Sequence, residues 1–97
     1  MTEIVASRRA EDDFDRIWLH IALDDEAAAD RLLTAIGDKI ERLRVFPEIG
    51  RRRDEIRSGA RGLVHGSYLI LYEYDASDDV VTIMTVVEGM RDLDRLF

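Results

Sequence analysis

The sequence predicts an α+β fold: an antiparallel helical hairpin packed on a mostly antiparallel sheet, with elements in the order β-α-α-β-β-β and a short C-terminal tail. Three observations lead there. Apolar residues recur at helical spacing from Ala10 to Leu43. The period then changes to that of strands between Leu63 and Val87. Between the two regimes lies the only proline, together with three of the six glycines.

Ile4-Val5-Ala6 is a short strand candidate. Ser7 can cap a first helix, and Glu11, Asp12 and Asp13 sit favourably near its positive end. Ala10, Phe14, Ile17, Trp18, Ile21 and Ala22 form its apolar stripe, on which Trp18 reads as a core residue. Asp24-Asp25-Glu26 breaks the stripe and supplies a new cap. A second helix then carries Ala29, Leu32, Leu33, Ile36, Ile40 and Leu43, and is expected to stop at Phe46, because the residue before Pro47 is pushed out of helical geometry. So short a link between two helices demands an antiparallel hairpin.

Residues 47–62 read as one long connection. They hold five arginines against three acids, whereas residues 1–46 are net -4 and residues 63–97 net -5. Leu63-Val64-His65 and Tyr68 to Tyr74 then read as two strands around Gly66-Ser67, and Ala76 to Asp79 as a turn. Val80 to Val87 is β-branched and apolar on both faces, the mark of an interior strand. Gly89 ends it, before the tail Met90 to Phe97.

Ninety-seven residues make a single domain spanning 1–97, and 46% apolar residues suffice for a modest core. A formal charge of -7, from 14 basic and 21 acidic groups, argues against direct DNA binding. With no cysteine, a disulfide scaffold, a thiolate zinc site and a Cys nucleophile are all excluded. His20 and His65 lie on different elements without ligand spacing, so no metal site is expected, and no motif calls for a cofactor. No apolar run reaches membrane-spanning length and Met-Thr-Glu-Ile offers no basic n-region for a signal peptide, so a cytoplasmic location is expected.

RNA cleavage is the one enzymatic chemistry with candidate residues. It needs a base, an acid and cations around the phosphate. A strand over 61–65 would turn Arg61, Leu63 and His65 to one face, beside Tyr68, Ile70, Tyr72 and Tyr74 on its partner. The plainer reading is that His65 borders a hairpin turn and the tyrosines are packing residues. Arg51-Arg52-Arg53 is either a contact for a phosphate or an acidic partner, or a solvated loop countered by Glu48, Asp54 and Glu55. Leu93, Leu96 and Phe97 must dock on this domain or on another protein.

The ordered set Ala28-Ala29-Asp30-Arg31-Leu32-Leu33, Leu43-Arg44-Val45-Phe46-Pro47-Glu48-Ile49-Gly50-Arg51, Arg61-Gly62-Leu63, Gly66 to Tyr72 and Val86-Val87-Glu88-Gly89-Met90-Arg91-Asp92 resembles the ParE branch of the RelE/ParE toxin superfamily, across essentially the whole chain. That resemblance implies the toxin of a type II toxin–antitoxin pair, of the plasmid-stabilisation kind. Such a toxin is held by a ParD-like antitoxin in a hetero-oligomer, a heterotetramer or larger. ParE-type members poison DNA gyrase, whereas RelE-type members cut mRNA on the ribosome. The tail offers only Arg91 and Arg95 as basic groups, and arginine is a poor proton shuttle. We therefore expect a non-enzymatic gyrase inhibitor. The alternatives are a RelE-like ribosome-dependent mRNA endoribonuclease and a decayed toxin that only binds antitoxin. Arg51, Arg52, Arg53, Arg61 and Tyr72 are the expected antitoxin contacts. Arg91, Leu93, Arg95, Leu96 and Phe97 are the expected target contacts.

Overall fold

The structure is a computed structural model that describes residues 1–89, so the expected target contacts in the tail lie outside the described residues. The elements are β1 (Glu3–Ala6), α1 (Arg8–Ala22), α2 (Glu26–Glu41), a 3₁₀ turn (Arg42–Arg44), β2 (Arg51–Arg52), β3 (Ala60–His65), β4 (Tyr68–Asp75) and β5 (Val80–Glu88). The strands form one sheet in the order β1-β5-β4-β3-β2. β1 runs parallel to β5, and every other pairing is antiparallel. The expected α+β architecture and element order are therefore present.

Both helix caps follow from their sequence signals. The Ser7 side chain accepts from the Ala10 amide at 3.1 Å, and Asp25 accepts from the Ala28 amide at 3.1 Å. The hairpin covers one sheet face, where Ala10, Ile17, Ile36, Ile40 and Leu43 pack on Ile70, Tyr72, Val81, Ile83 and Val86. On the other face Leu69, Leu71 and Val87 form a smaller cluster under Ile56. Interior placement of β5, apolar on both faces, follows from that two-sided burial.

Four expectations need correction. The second helix ends at Glu41 rather than Phe46. Leu43 is fully buried while Val45 and Phe46 are about three-fifths exposed, so the chain tightens into a 3₁₀ turn around its last core residue. The 47–62 segment is not wholly a connection, since Arg51 and Arg52 pair with Gly62 and Arg61 as an edge strand. Strand β3 begins at Ala60, three residues before the expected Leu63. Trp18 is only half-buried: its Nε1 donates to Asp30 at 2.8 Å and clasps the two helices together from outside the core.

One buried polar device ties the layers. Asp13 falls on the same α1 face as Ala10 and Ile17 and is 8% exposed. Its carboxylate accepts from the Thr85 hydroxyl and, at 3.1 Å, from the Val86 amide, while Arg16 donates to it at 2.7 Å. These partners sit at a bulge, because the β4–β5 register skips from Leu71↔Thr85 to Tyr72↔Ile83 and leaves Met84 unopposed.

Candidate partner-binding surface

The turn after the 3₁₀ element is fixed by two side chains from the sheet. The Gly50 amide donates to the Tyr72 hydroxyl at 2.8 Å. A Cβ at Gly50 would lie 2.6 Å from the Tyr72 ring, so only glycine allows this approach. Arg61 donates through Nη1 to the carbonyls of Gly50 at 3.0 Å and Glu48 at 3.2 Å, and its Nη2 stands 3.4 Å from the Glu48 carboxylate. Held from beneath in this way, the turn presents Val45, Phe46 and Ile49 to solvent at 60, 60 and 52% exposure. With Pro47 and Glu48 they line an open, mostly apolar depression of about 430 Å³. Large apolar residues exposed contiguously and rimmed by charge are the usual signature of a protein contact.

A ridge of arginines continues from this shelf. Arg51 and Arg52 form the outermost strand of the sheet and are exposed. Arg52 pairs with Asp54 at 2.9 Å and Arg53 with Glu55 at 2.9 Å. The bond from Arg52, helped by the Gly59 amide, lowers the Asp54 carboxyl below its ordinary range. The bond from Arg53 lowers Glu55 in the same way. The Arg52–Asp54 pair is exposed on both sides and of small net energy, so another acid can replace Asp54 at little cost, whereas the Arg53 side chain is only 16% exposed and packs beside Gly62.

Of the expected contacts, Arg51 and Arg52 are exposed on the edge strand that follows the Phe46 shelf, whereas Arg53 is mostly buried and lines a separate cleft with Val64, Ser67, Tyr68 and Leu69. Arg61 lies just behind, as a brace whose guanidinium is already engaged. Tyr72 requires correction: it is 0% exposed, and its hydroxyl is bonded to Gly50 inside the fold, so it shapes the surface without touching a partner. Burial pushes its phenol up, against the pull of the Gly50 amide and of Arg61. The shelf formed by Val45, Phe46 and Ile49 escaped sequence reasoning. Its signal was three apolar residues around a proline, outside either helical stripe.

The nuclease candidates are not gathered. Arg61 and His65 share a strand face but stand four residues apart, roughly 13 Å at strand rise. His65 pairs with Tyr68 across the hairpin end. The other histidine, His20, lines a separate cleft with Arg16, Ile17, Tyr68, Val86 and Glu88. Among the described residues no group of His, Cys, Asp and Glu could hold a metal ion, and no helix is long and apolar enough to cross a membrane.

Two helices on this five-stranded sheet define a RelE/ParE-like toxin fold. It matches a chain of the chromosomal ParDE system from P. aeruginosa with a TM-score of 0.65 at 18% identity, over 93% of this chain and 98% of that one. It matches the isolated E. coli RelE toxin with a TM-score of 0.66 at 12% identity, over the full length of both. Sequence goes further than fold. The family model for the ParE toxin of the type II toxin–antitoxin system parDE matches residues 4–93, and the chain belongs to that family. Toxin ParE3 of Caulobacter vibrioides is 27% identical over 94 residues, which cover 96% of this chain and 92% of that protein.

Proposed function

We propose that this chain is a toxin neutralised by a ParD-like antitoxin, and that it inhibits DNA gyrase by binding it rather than by catalysis. Family membership supports the toxin reading. The Arg61 brace carries the choice of a binding mechanism. The arginine on which RNA cleavage would depend is engaged with Glu48 and two backbone carbonyls, well away from His65. A phosphorane needs unengaged cations and an acid–base pair within hydrogen-bond reach of one point.

The antitoxin would lay an amphipathic segment across the shelf, its apolar residues on Val45, Phe46 and Ile49 and its acids on the exposed Arg51 and Arg52. The tail residues Arg91, Leu93, Arg95, Leu96 and Phe97 would make the gyrase contact. The decisive experiment places the purified toxin in a gyrase supercoiling assay and in a reconstituted translation mix. Supercoiling should fail while translated mRNA stays whole, and deletion of Leu93–Phe97 should restore supercoiling. Codon-phased cleavage of message beside an active gyrase would establish the ribonuclease alternative instead. Harm in neither assay, with antitoxin still bound, would leave a binding module.

A further inference from the structure

A second feature lies away from the shelf. A cleft of about 370 Å³ opens beside the β5 bulge, where β1 hands over to α1. Its walls include Arg9 from the first turn of α1, Arg57 from the loop after β2, and Glu73 and Thr82, which face each other across β4 and β5. Unopposed Met84 forms part of the lining, and the Ser7 hydroxyl donates to the Met84 carbonyl at 2.8 Å, which fixes the bulge in place. Bulges of this kind bend a strand and re-aim its neighbours, and they recur beside binding sites.

We propose that this cleft binds a phosphate group. Two guanidinium groups 48 residues apart in sequence line one concavity, against a single carboxylate. Glu73 meets Arg57 through Nε at 3.2 Å, and the two Nη atoms make no hydrogen bond among the described residues. Arg9 is exposed and makes no hydrogen bond or ion pair among the described residues. The Thr82 hydroxyl adds a donor from the sheet itself. A carboxylate is planar and is satisfied by one guanidinium fork, whereas donors from a helix, a loop and a strand suit a tetrahedral oxyanion. The excess of cation here is local, in a chain whose formal charge is -7. The proposal goes beyond the toxin reading and does not depend on the toxin's target.

Titration of the full chain with inorganic phosphate, and separately with a duplex of about twelve base pairs of arbitrary sequence, tests it by calorimetry and amide shifts. Saturable binding is expected, with shifts centred on Arg9, Arg57 and Thr82. Arg9→Ala and Arg57→Ala should each weaken it about tenfold, the loss of one charge-assisted hydrogen bond. Glu73→Gln should strengthen it by removing the competing acid. If the duplex binds with a log–log salt slope of about -1, the ligand is a nucleic-acid backbone contacted at one phosphate. If phosphate saturates and the duplex does not bind, the ligand is a small phosphorylated molecule. No saturation by either, or equal binding by the two arginine variants with unchanged circular dichroism, overturns the site.

Discussion

Three tyrosines alternate along β4 and look alike in the sequence, yet their surroundings divide them. Tyr68 and Tyr74 are partly buried, whereas Tyr72 is wholly enclosed and serves as the hydrogen-bond acceptor for the Gly50 amide. Removing only its oxygen strands that amide inside the fold. Tyr72→Phe should therefore cost about 1–3 kcal/mol, read as a lower urea midpoint with an unchanged slope. The alkaline limb gives a second readout. Burial raises the Tyr72 phenol above its ordinary value, so between that value and the folded one the native chain keeps a proton that the unfolded chain has lost. Stability is thus fully present below about pH 10 and declines as pH rises beyond it. In Tyr72→Phe the decline should be shallower but not absent, because Tyr68 and Tyr74 are also raised. An identical alkaline limb in both proteins would contradict this assignment.

Among the elements, those with many repeats of one period were legible and those fixed by single distant contacts were not. Both helices and β5 declare themselves through long apolar patterns. Two-residue β2 has no pattern to read; it exists because Arg51 and Arg52 find Gly62 and Arg61 across the sheet edge. Asp13 looked like an ordinary acid in a helix's first turns. Its place between Ala10 and Ile17 on the buried stripe was the available signal, but the partners at Thr85 and Val86 lie more than seventy residues away. In the candidate site the exposure of Arg51 and Arg52 could be expected from so basic a run, while the burial of Arg53 and the inward turn of Tyr72, which depends on Gly50 twenty-two residues off, could not. The β4–β5 turn is a similar long-range tie: Asp79 accepts from the Thr2 hydroxyl at 2.7 Å and from the Tyr74 hydroxyl at 2.8 Å, and its carbonyl accepts from the Glu3 amide. Those two hydroxyls, Thr2 first, hold the Asp79 carboxyl below its ordinary range. Its contribution is present above the unfolded carboxyl range and is lost as pH falls through the folded value. Asp79→Asn keeps the left-handed backbone at φ +54, which asparagine tolerates, and removes only the charge. Its deficit in urea midpoint against the unaltered protein should be present at pH 7 and close as the pH drops below about 4. A deficit independent of pH would show that the turn's shape, not its charge, matters.

For the molecule as a whole, the core and the exposed shelf are separable. The core lies between the hairpin and one sheet face, while Val45, Phe46 and Ile49 project from a turn braced by Arg61 and Tyr72 and contribute little to that interior. A chain of this size is marginally stable alone, so a ligand for the native state should register strongly in its melting. Binding at a hundred times the dissociation constant adds about 2.7 kcal/mol, which for a domain of this length corresponds to a rise of roughly 10–20 °C. We expect a ParD-like antitoxin to raise the melting temperature by that order. Phe46→Asp should melt near the unaltered protein when alone, since the side chain is mostly in water, yet lose most of the antitoxin's increment, because a carboxylate would be buried against apolar partner groups. Arg52→Glu should lower the increment less, and by an amount that shrinks as salt is added, as suits a charge at the rim. If Phe46→Asp instead lowered the melting temperature alone while leaving the antitoxin's increment intact, the shelf would belong to the fold, and the partner surface would have to be sought elsewhere on the chain.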